Sequence, residues 1–451
     1  ILVWVLQTPP DLSQEGHRAL ALFTGIFILY LPESIPLAIT SLAVVPLAVL
    51  MGIEKPAGAL SGFSSTSVYL IVGAFLLAAA MVKSKLADRI TYQIMTWVGT
   101  SAVRITLGIT MANIILAFLV PSTTARTAIL LPVCLGIIEI FGREGRTNFA
   151  VNLLLTLSFT NATISAGILT ATVPNPVTVD FIAKATKHTL TFGEWFMYGF
   201  PPAFLMTVLT WWVIQKVYPP EVDNIPGGEK YVKDKLQALG AFTGDEKKAL
   251  FVFTLVVGLW ATGGWTKIDT TIACLAGCII LFLPKIGFLS WKDAEKGISW
   301  QIIFVAGGGI GLGEILMKSG AAKWLAVTIF KTLGLSSFSM IVMLVIIMVI
   351  IQYMHLLFVG TTAMATAFLP IVLGLAQVAN INPAVFALPA GMIIGGYPLL
   401  MFYNTLPNIL IYGTGKLQVG DFPKVGFILC TAACLVYALC AVTYWKWLGL
   451  Y

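Results

Sequence analysis

Charge is scarce in this sequence. Only 10% of the 451 residues are Asp, Glu, Lys or Arg, whereas 58% are hydrophobic. A water-soluble core cannot bury that much apolar surface, so a soluble globular protein is excluded. Windows almost free of charge approach the roughly 20 residues that cross about 30 Å of hydrocarbon, at 105–120, 151–173, 203–214, 270–283, 341–351 and 425–444. Their apolar residues do not alternate, which excludes a β-barrel and predicts an all-α polytopic membrane protein.

Residues for enzymatic chemistry are also few. The sequence has 3 histidines, and its 6 cysteines fall inside apolar segments, where they are interpreted as small buried hydrophobes. The glycine-rich stretch 307–313 follows no βα pattern, so it indicates close helix packing and no phosphate loop. A membrane-embedded enzyme would need His, Asp or Glu clustered at one depth, and a channel would need a polar stripe along several helices. We expect neither, and we expect no organic cofactor.

The net charge of +7 does not form one basic patch. Lys and Arg lie in short loops between apolar runs, which favours lipid headgroups as their partners and argues against nucleic acid. We therefore predict an integral membrane protein of the inner (plasma) membrane of a bacterium or archaeon. Without a nucleotide motif, the energy for transport must come from gradients of ions or substrate.

Two similar stretches place small hydroxyl residues between apolar segments. The first, 120–132, reads Val-Pro-Ser-Thr-Thr-Ala-Arg-Thr-Ala-Ile-Leu-Leu-Pro, and the second, 358–370, reads Phe-Val-Gly-Thr-Thr-Ala-Met-Ala-Thr-Ala-Phe-Leu-Pro. The flanking segments are short for two full crossings with a loop, so each stretch predicts the tip of a re-entrant hairpin, at 105–141 and 340–380. Irregular backbone at that depth must be buried in protein or line an aqueous cavity.

Two broken helices accompany the hairpins. Proline interrupts the segment 151–185 at Thr-Val-Pro-Asn (172–175) and the segment 384–415 at Thr-Leu-Pro-Asn (405–408). Landmarks of the first half recur after about 235 residues, which indicates an internal repeat. We predict a first repeat at 1–218, a polar linker at 219–248 and a second repeat at 249–451, each repeat with scaffold spans, a hairpin and a broken helix. An odd number of crossings in the first repeat would invert the second.

The tips and breaks provide hydroxyls, free amide donors and helix N-termini, which suit an anionic carboxylate, while freed carbonyls suit a small cation. Ser, Thr and Pro also pack and kink membrane helices, but their recurrence in four repeat-related places favours a site. Arg126, about one turn beyond the first tip, has two interpretations: an arginine that snorkels to the cytoplasmic face, or a fixed charge that attracts an anion or replaces a cation. Glu314 is interpreted as an ion-pair or transport residue, and His355 as a packed neutral histidine.

At these residues the chain resembles the divalent anion/sodium symporter family. The tip sequences 122–125 and 360–363, each running on to Leu-Pro, look like the family's paired Ser-Asn-Thr motifs, and the Thr-x-Pro-Asn stretches look like its paired unwound-helix motifs. The resemblance covers nearly the whole chain. It implies about 11 transmembrane helices plus two re-entrant hairpins in two inverted repeats, a homodimer, and an elevator-type movement of a transport domain. The implied substrates are di- or tricarboxylates of the C4-dicarboxylate, 2-oxoglutarate or citrate type.

Carried over by position, the resemblance also implies the residues of the site. The substrate would lie among Ser122, Thr123, Thr124, Arg126, Thr172, Pro174, Gly360, Thr361, Thr362, Thr405 and Pro407. Na⁺, as a coupling ion, would bind at Ser122, Thr123 and Ala171 in one copy, and at Val359, Thr361 and Asn404 in the other.

The chain departs from the family pattern at both tip asparagines, which are Thr123 and Thr361 here, and at the second tip serine, which is Gly360. In the family those asparagines touch both substrate and sodium. The Pro-Ser-x-Thr-Ala-Arg run is more similar to the exchanger branch, in which a fixed positive charge can replace sodium. We therefore favour carboxylate exchange, with sodium-coupled carboxylate symport and an inorganic-anion or proton-coupled antiporter as the alternatives.

Overall fold

The computed structural model describes residues 7–31, 33–99, 101–142, 145–225 and 227–450. Outside these ranges lie residues 1–6 of the predicted first repeat, Pro226 of the predicted linker, and Pro32, Thr100, Arg143, Glu144 and Tyr451. Within them every named element is a helix, and the only β-type contact is an isolated bridge between Ser101 and Asn224. The all-α fold class is confirmed.

The chain begins with two antiparallel helices and continues with a longer and a shorter one. Arg18, near the start of the first helix, donates to the carbonyl of Met51, just past the end of the second, at 3.4 Å. Lys85 adopts a left-handed backbone (φ 60°) and turns the chain between the third and fourth helices. The four helices are α1 (Gln14–Tyr30), α2 (Leu37–Leu50), α3 (Thr66–Ser84) and α4 (Leu86–Val98).

The predicted amphipathic helix 86–104 is shorter than expected. It ends at Val98, and Ser101 then caps a new helix by accepting a hydrogen bond from the amide of Arg104 at 3.3 Å. Serine at this position satisfies one of the unpaired amides of a helix start. The helices that follow are α5 (Ala102–Leu119), α6 (Thr123–Phe141), α7 (Asn148–Ser165), α8 (Pro174–Thr186) and α9 (Phe192–Val217).

The predicted linker 219–248 is partly helical. It contains α10 (Gly228–Ala238), which packs against α4 and α6, and it includes the start of α11 (Gly244–Thr266). Three helices follow: α12 (Thr270–Phe282), α13 (Trp300–Lys318) and α14 (Ala321–Thr332).

The last helices follow the order of α5–α9. They are α15 (Met340–Met354), α16 (Thr361–Val378), α17 (Pro383–Gly396), α18 (Leu406–Tyr412) and α19 (Asp421–Val442). In each half, one tip separates two helices, and one irregular stretch separates a longer helix from a shorter one. The division into two repeats and the inversion of the second stay predictions.

Nine helical segments among the described residues are long and apolar enough to cross a membrane, and three shorter apolar helices accompany them. The helices flanking the first tip, α5 and α6, have 18 and 19 residues, longer than the sequence pattern indicated. Each therefore has the length of a full crossing at about 1.5 Å per residue. That they form a re-entrant hairpin stays a prediction.

The glycine-rich helix α13 packs closely against its neighbours. A β-carbon placed on Gly308 would lie 2.2 Å from the carbonyl oxygen of Ser41 in α2, and one on Gly62 would lie 2.1 Å from the carbonyl oxygen of Gly307. Only glycine permits such backbone approach between membrane helices. The interpretation of 307–313 as a packing surface is confirmed.

Candidate functional site

A cavity of about 370 Å³ lies where both tips and both breaks meet. From the first tip and break it is lined by Pro121, Ser122, Thr123, Thr124, Thr172 and Val173, and from the second by Val359, Gly360, Thr361, Thr362, Ala363, Asn404, Thr405, Leu406, Pro407 and Ile409. The rest of the lining comes from Glu33, Leu37, Phe75, Gln301, Ile302 and Val305. Thr124 and Thr362, which lie far apart in sequence, therefore share one cavity. Its volume is within the range of small-molecule sites.

Helices start at this cavity. Ser122 is the N-cap of α6 and accepts from the amide of Ala125 at 3.2 Å, whereas Gly360, the N-cap of α16, provides no side-chain cap. Helix α8 starts beside Thr172 and Val173. The first amides of a helix carry partial positive charge and lack intrahelical partners. The cavity therefore favours an anion, although none of the lining residues is Lys, Arg or His.

Both helix breaks are held by an asparagine amide in the same way. The Nδ2 atom of Asn175 donates to the carbonyls of Ser165 and Ile168, at 2.8 and 2.9 Å. The Nδ2 atom of Asn408 donates to the carbonyls of Pro398 and Met401, at 2.9 and 3.1 Å. In each copy the two acceptors lie ten and seven residues before the asparagine. The last residue of each Thr-x-Pro-Asn stretch thus pairs the carbonyls that the break frees.

Two further asparagines fix the tips. Asn161 of α7 donates to the carbonyl of Thr123 at 2.8 Å and to Oγ1 of Thr127 at 2.9 Å. Asn404 donates to the carbonyls of His355 and Phe358, at 2.6 and 3.2 Å. Sequence reasoning did not single out Asn161. The signal was an amide side chain inside the apolar run 151–173, where an unpaired polar group is costly.

Arg126 lies behind the first tip and is fully buried. One of its guanidinium nitrogens donates to Oγ of Ser165 at 2.5 Å and to the carbonyl of Ala171 at 3.2 Å. Nε and the other terminal nitrogen have no hydrogen-bond partner among the described residues. Because the side chain is enclosed, it does not snorkel to a face of the molecule. Its fixed charge lies against the carbonyl that the family resemblance implies for Na⁺.

The predicted site residues divide into two groups. Most of the predicted substrate residues line the cavity, whereas Arg126 and Pro174 do not. Of the first predicted Na⁺ set, Ser122 and Thr123 line it and Ala171 is buried behind it. All members of the second set, Val359, Thr361 and Asn404, line it. Their binding roles stay predictions.

The two other singled-out residues lie away from the cavity lining. Glu314 forms an ion pair with Lys184 of α8 and accepts a hydrogen bond from Ser61 at 2.6 Å, which fits the ion-pair interpretation. His355 is buried, with its ring nitrogens 2.9 and 3.2 Å from the carbonyls of Gln352 and Ile394, so the packed interpretation fits its surroundings. Across the ranges that the structure describes, no group of three or more His, Cys, Asp or Glu could hold a metal.

Known proteins resemble the chain over its whole length. A membrane protein of Cupriavidus necator is 29% identical over 100% of this chain and 91% of its own length. The sodium-dependent dicarboxylate transporter SdcS of Staphylococcus saprophyticus is 28% identical over 95% of this chain and 86% of its own length. The malate-transporter candidate YflS of Bacillus subtilis is 28% identical over 100% of this chain and 95% of its own length.

A solved structure shares the fold. The crystal structure of the Alcanivorax borkumensis YdaH transporter matches with a TM-score of 0.60 at 12% identity, covering 94% of this chain and 98% of that one. At this identity the likeness concerns the fold alone. Together with the apolar helices and the bacterial relatives, it identifies an integral protein of the plasma membrane.

The family model that describes the sodium:sulfate symporter transmembrane region matches residues 1–451. This family consists of transporters, and the expectation that the chain is no enzyme is confirmed. The resemblance at the two tips and the two breaks is confirmed with it, and the chain belongs to the sodium:sulfate symporter family, the divalent anion/sodium symporters.

Proposed function

We propose that this protein is a secondary transporter of di- or tricarboxylates and that the cavity is its substrate site. The observation that carries the proposal is that both Ser/Thr tips and both Thr-x-Pro-Asn breaks line one cavity. The names of the relatives SdcS and YflS, which refer to dicarboxylates and malate, support this substrate class.

In this proposal the carboxylate groups are held by hydroxyls and helix-start amides. Thr123, Thr124 and Thr172 contact the substrate from the first copy, and Thr361, Thr362 and Thr405 contact it from the second. Hydrogen bonds between charged and neutral groups each contribute roughly 1.5–3 kcal/mol, so several of them offset the cost of removing a dianion from water. Release into water restores the hydration of the carboxylates, which suits a transporter.

We propose exchange as the mode of transport, because of Arg126. Its guanidinium lies 3.2 Å from the carbonyl oxygen of Ala171, where the first Na⁺ would have a ligand. A second cation there would be repelled by a fully buried charge. A site with a permanent positive charge needs no Na⁺ to attract the anion, and it returns across the membrane most readily when another anion occupies it.

Sodium-coupled symport is the second candidate, and the second copy favours it. Met364 stands where the first copy has Arg126, so no fixed charge competes for a cation near Val359, Thr361 and Asn404. The sodium dependence in the name of SdcS supports this mode. One Na⁺ in the second copy, and none in the first, is the stoichiometry that this arrangement predicts.

The proposed movement is of the elevator type. The tips and breaks would move as one unit relative to α2, α3 and α13, which provide Leu37, Phe75 and Val305 to the same cavity. A homodimer and lipid are the proposed partners of the outer surface. Large apolar side chains on α11 and α12 support this, since Phe251, Ile272 and Ile279 are 64%, 59% and 61% exposed.

Uptake into proteoliposomes tests the proposal. Radiolabelled succinate, citrate and sulfate are offered with and without a Na⁺ gradient, and with and without unlabelled dicarboxylate inside. We expect carboxylate uptake that requires internal dicarboxylate and not Na⁺. Uptake that requires Na⁺ and proceeds into empty vesicles would establish symport in place of exchange. Sulfate uptake without any carboxylate uptake would refute the proposed substrate class.

A further inference from the structure

One lining residue of the cavity does not match its preference for anions. Glu33, in the connection between α1 and α2, lines the cavity together with the tips and breaks. Among the lining residues that the structure describes, it is the only titratable side chain. An ionised Glu33 would therefore face the two negative charges of a bound dicarboxylate without a cationic side chain between them.

The carboxyl group of Glu33 is also free of structural duties. It makes no hydrogen bond or ion pair with any described residue, and it is partly exposed. Charged and titratable groups on the surrounding helices are engaged elsewhere. Tyr30 contacts Oγ of Ser41 at 2.8 Å, Arg126 bonds Ser165 and Ala171, Lys83 pairs with Asp293, and Glu314 pairs with Lys184. Helices α2 and α16 carry no charged residue.

Partial burial alone raises the pKa of Glu33, since burial disfavours the charged carboxylate. A dianion arriving in the same cavity acts in the same direction, because a nearby like charge also disfavours ionisation. Repulsion between charges falls only slowly with distance when little water separates them. Anion binding and protonation of Glu33 must therefore promote each other, as reciprocal linkage requires.

We propose that Glu33 is a proton-binding residue of the transport site, which takes up one proton from water when a dianionic substrate enters and returns it when the substrate leaves. This inference rests on the proposed carboxylate site and adds to it a coupling that no fixed charge can provide. Glu33 would set the charge of the loaded cavity, and it would make a dianion bind more tightly as the pH falls. Substrate binding thereby becomes sensitive to the pH on the side to which the cavity is open.

The sign of the pH dependence follows from the linkage. Binding is strongest where Glu33 is already protonated, and it weakens as the pH rises through the titration of Glu33. If one proton is taken up, the dissociation constant rises roughly tenfold per pH unit above that titration. Glu33→Gln has nearly the same shape and no charge, so its binding should stay at the strong, low-pH level.

The test compares the purified wild-type protein with Glu33→Gln and Glu33→Asp. Succinate binding is measured by calorimetry from pH 5 to pH 8, in buffers of different ionisation enthalpy, so that the protons taken up are counted. Glu15→Gln is the matched control, because Glu15 is exposed at the far end of α1. Titration of succinate itself affects all variants equally, so the ratio between wild type and Glu33→Gln isolates Glu33.

We expect the wild type, Glu15→Gln and Glu33→Asp to lose affinity with rising pH and to take up a proton, and Glu33→Gln to do neither. At pH 8 Glu33→Gln should bind at least tenfold more tightly than the wild type. Parallel pH profiles in wild type and Glu33→Gln overturn the inference, as does a Glu33→Gln protein that has lost Na⁺ dependence in place of proton uptake. Absence of carboxylate binding in every variant at every pH refutes the proposed function instead.

Discussion

The asparagine that ends each Thr-x-Pro-Asn stretch should carry much of the stability of the helix breaks. Asn175→Ala removes two hydrogen bonds, to the carbonyls of Ser165 and Ile168. Both carbonyls keep a backbone donor, from Ile168 at 3.4 Å and from Ala171 at 3.0 Å. The substitution therefore costs two hydrogen bonds without leaving a carbonyl wholly unpaired, which is about 2 kcal/mol of unfolding free energy.

The equivalent substitution in the second copy should cost more. Asn408→Ala also removes two hydrogen bonds, but the carbonyl of Pro398 has no other donor among the described residues. The hydroxyl of Ser158, which is buried and donates to Oδ1 of Asn408 at 2.6 Å, loses its acceptor as well. An orphaned buried polar group costs about 1–3 kcal/mol, so the total for Asn408→Ala is roughly 4 kcal/mol.

Unfolding in mixed detergent micelles, titrated with denaturing detergent and followed by tryptophan fluorescence, measures both losses. Asn148→Ala is the control, since Asn148 starts α7 and its side chain makes no hydrogen bond within the described ranges. Its unfolding free energy should stay within about 0.5 kcal/mol of wild type.

The order of the three variants decides the matter. We expect Asn408→Ala to be the least stable, Asn175→Ala intermediate and Asn148→Ala close to wild type. Equal losses for the two break asparagines would contradict the role assigned to Pro398 and Ser158. If neither differed from Asn148→Ala, the amides would not hold the breaks at all.

Three further substitutions test the site and the packing around it. Arg126→Met, which copies the second repeat, should raise the Kd for succinate roughly tenfold or more because a buried positive charge near the anion is lost, and Arg126→Lys should recover part of the affinity. Thr123→Ala and Thr361→Ala each remove one hydroxyl from the cavity, so each should weaken succinate binding about fivefold, or about 1 kcal/mol. Gly308→Val should lower the unfolding free energy by about 1–3 kcal/mol through overpacking, whereas Gly264→Ala, at an open position, should not.

Each of these has a contrary outcome in the same assays. An unchanged Kd in Arg126→Met would mean that the buried charge serves only the fold. Normal binding by both threonine variants would remove those hydroxyls from the site. A Gly308→Val protein as stable as Gly264→Ala would show that α13 and α2 separate without penalty.

Burial was the main property that the sequence could not supply. Arg126 had two open interpretations because a charge near a helix start can reach either a membrane face or an interior partner. Only packing shows that its guanidinium bonds Ser165 and the carbonyl of Ala171. Glu33 passed as part of a proline-marked turn, since nothing local reveals that the turn reaches a cavity formed by residues hundreds of positions away.

The sequence by itself determined the membrane class, the tips, the breaks and the kinship with a transporter family, because apolar run length, proline and small hydroxyl residues act locally on the chain. Helix ends were less well determined, as at Val98, because capping by Ser101 competes with a continuous amphipathic pattern. The tertiary structure alone decided that both tips and both breaks share one cavity, which side chains line it, and which amides satisfy the carbonyls behind it. Those contacts join helices that are distant in the chain, and their geometry follows from how the helices pack, not from any single stretch of residues.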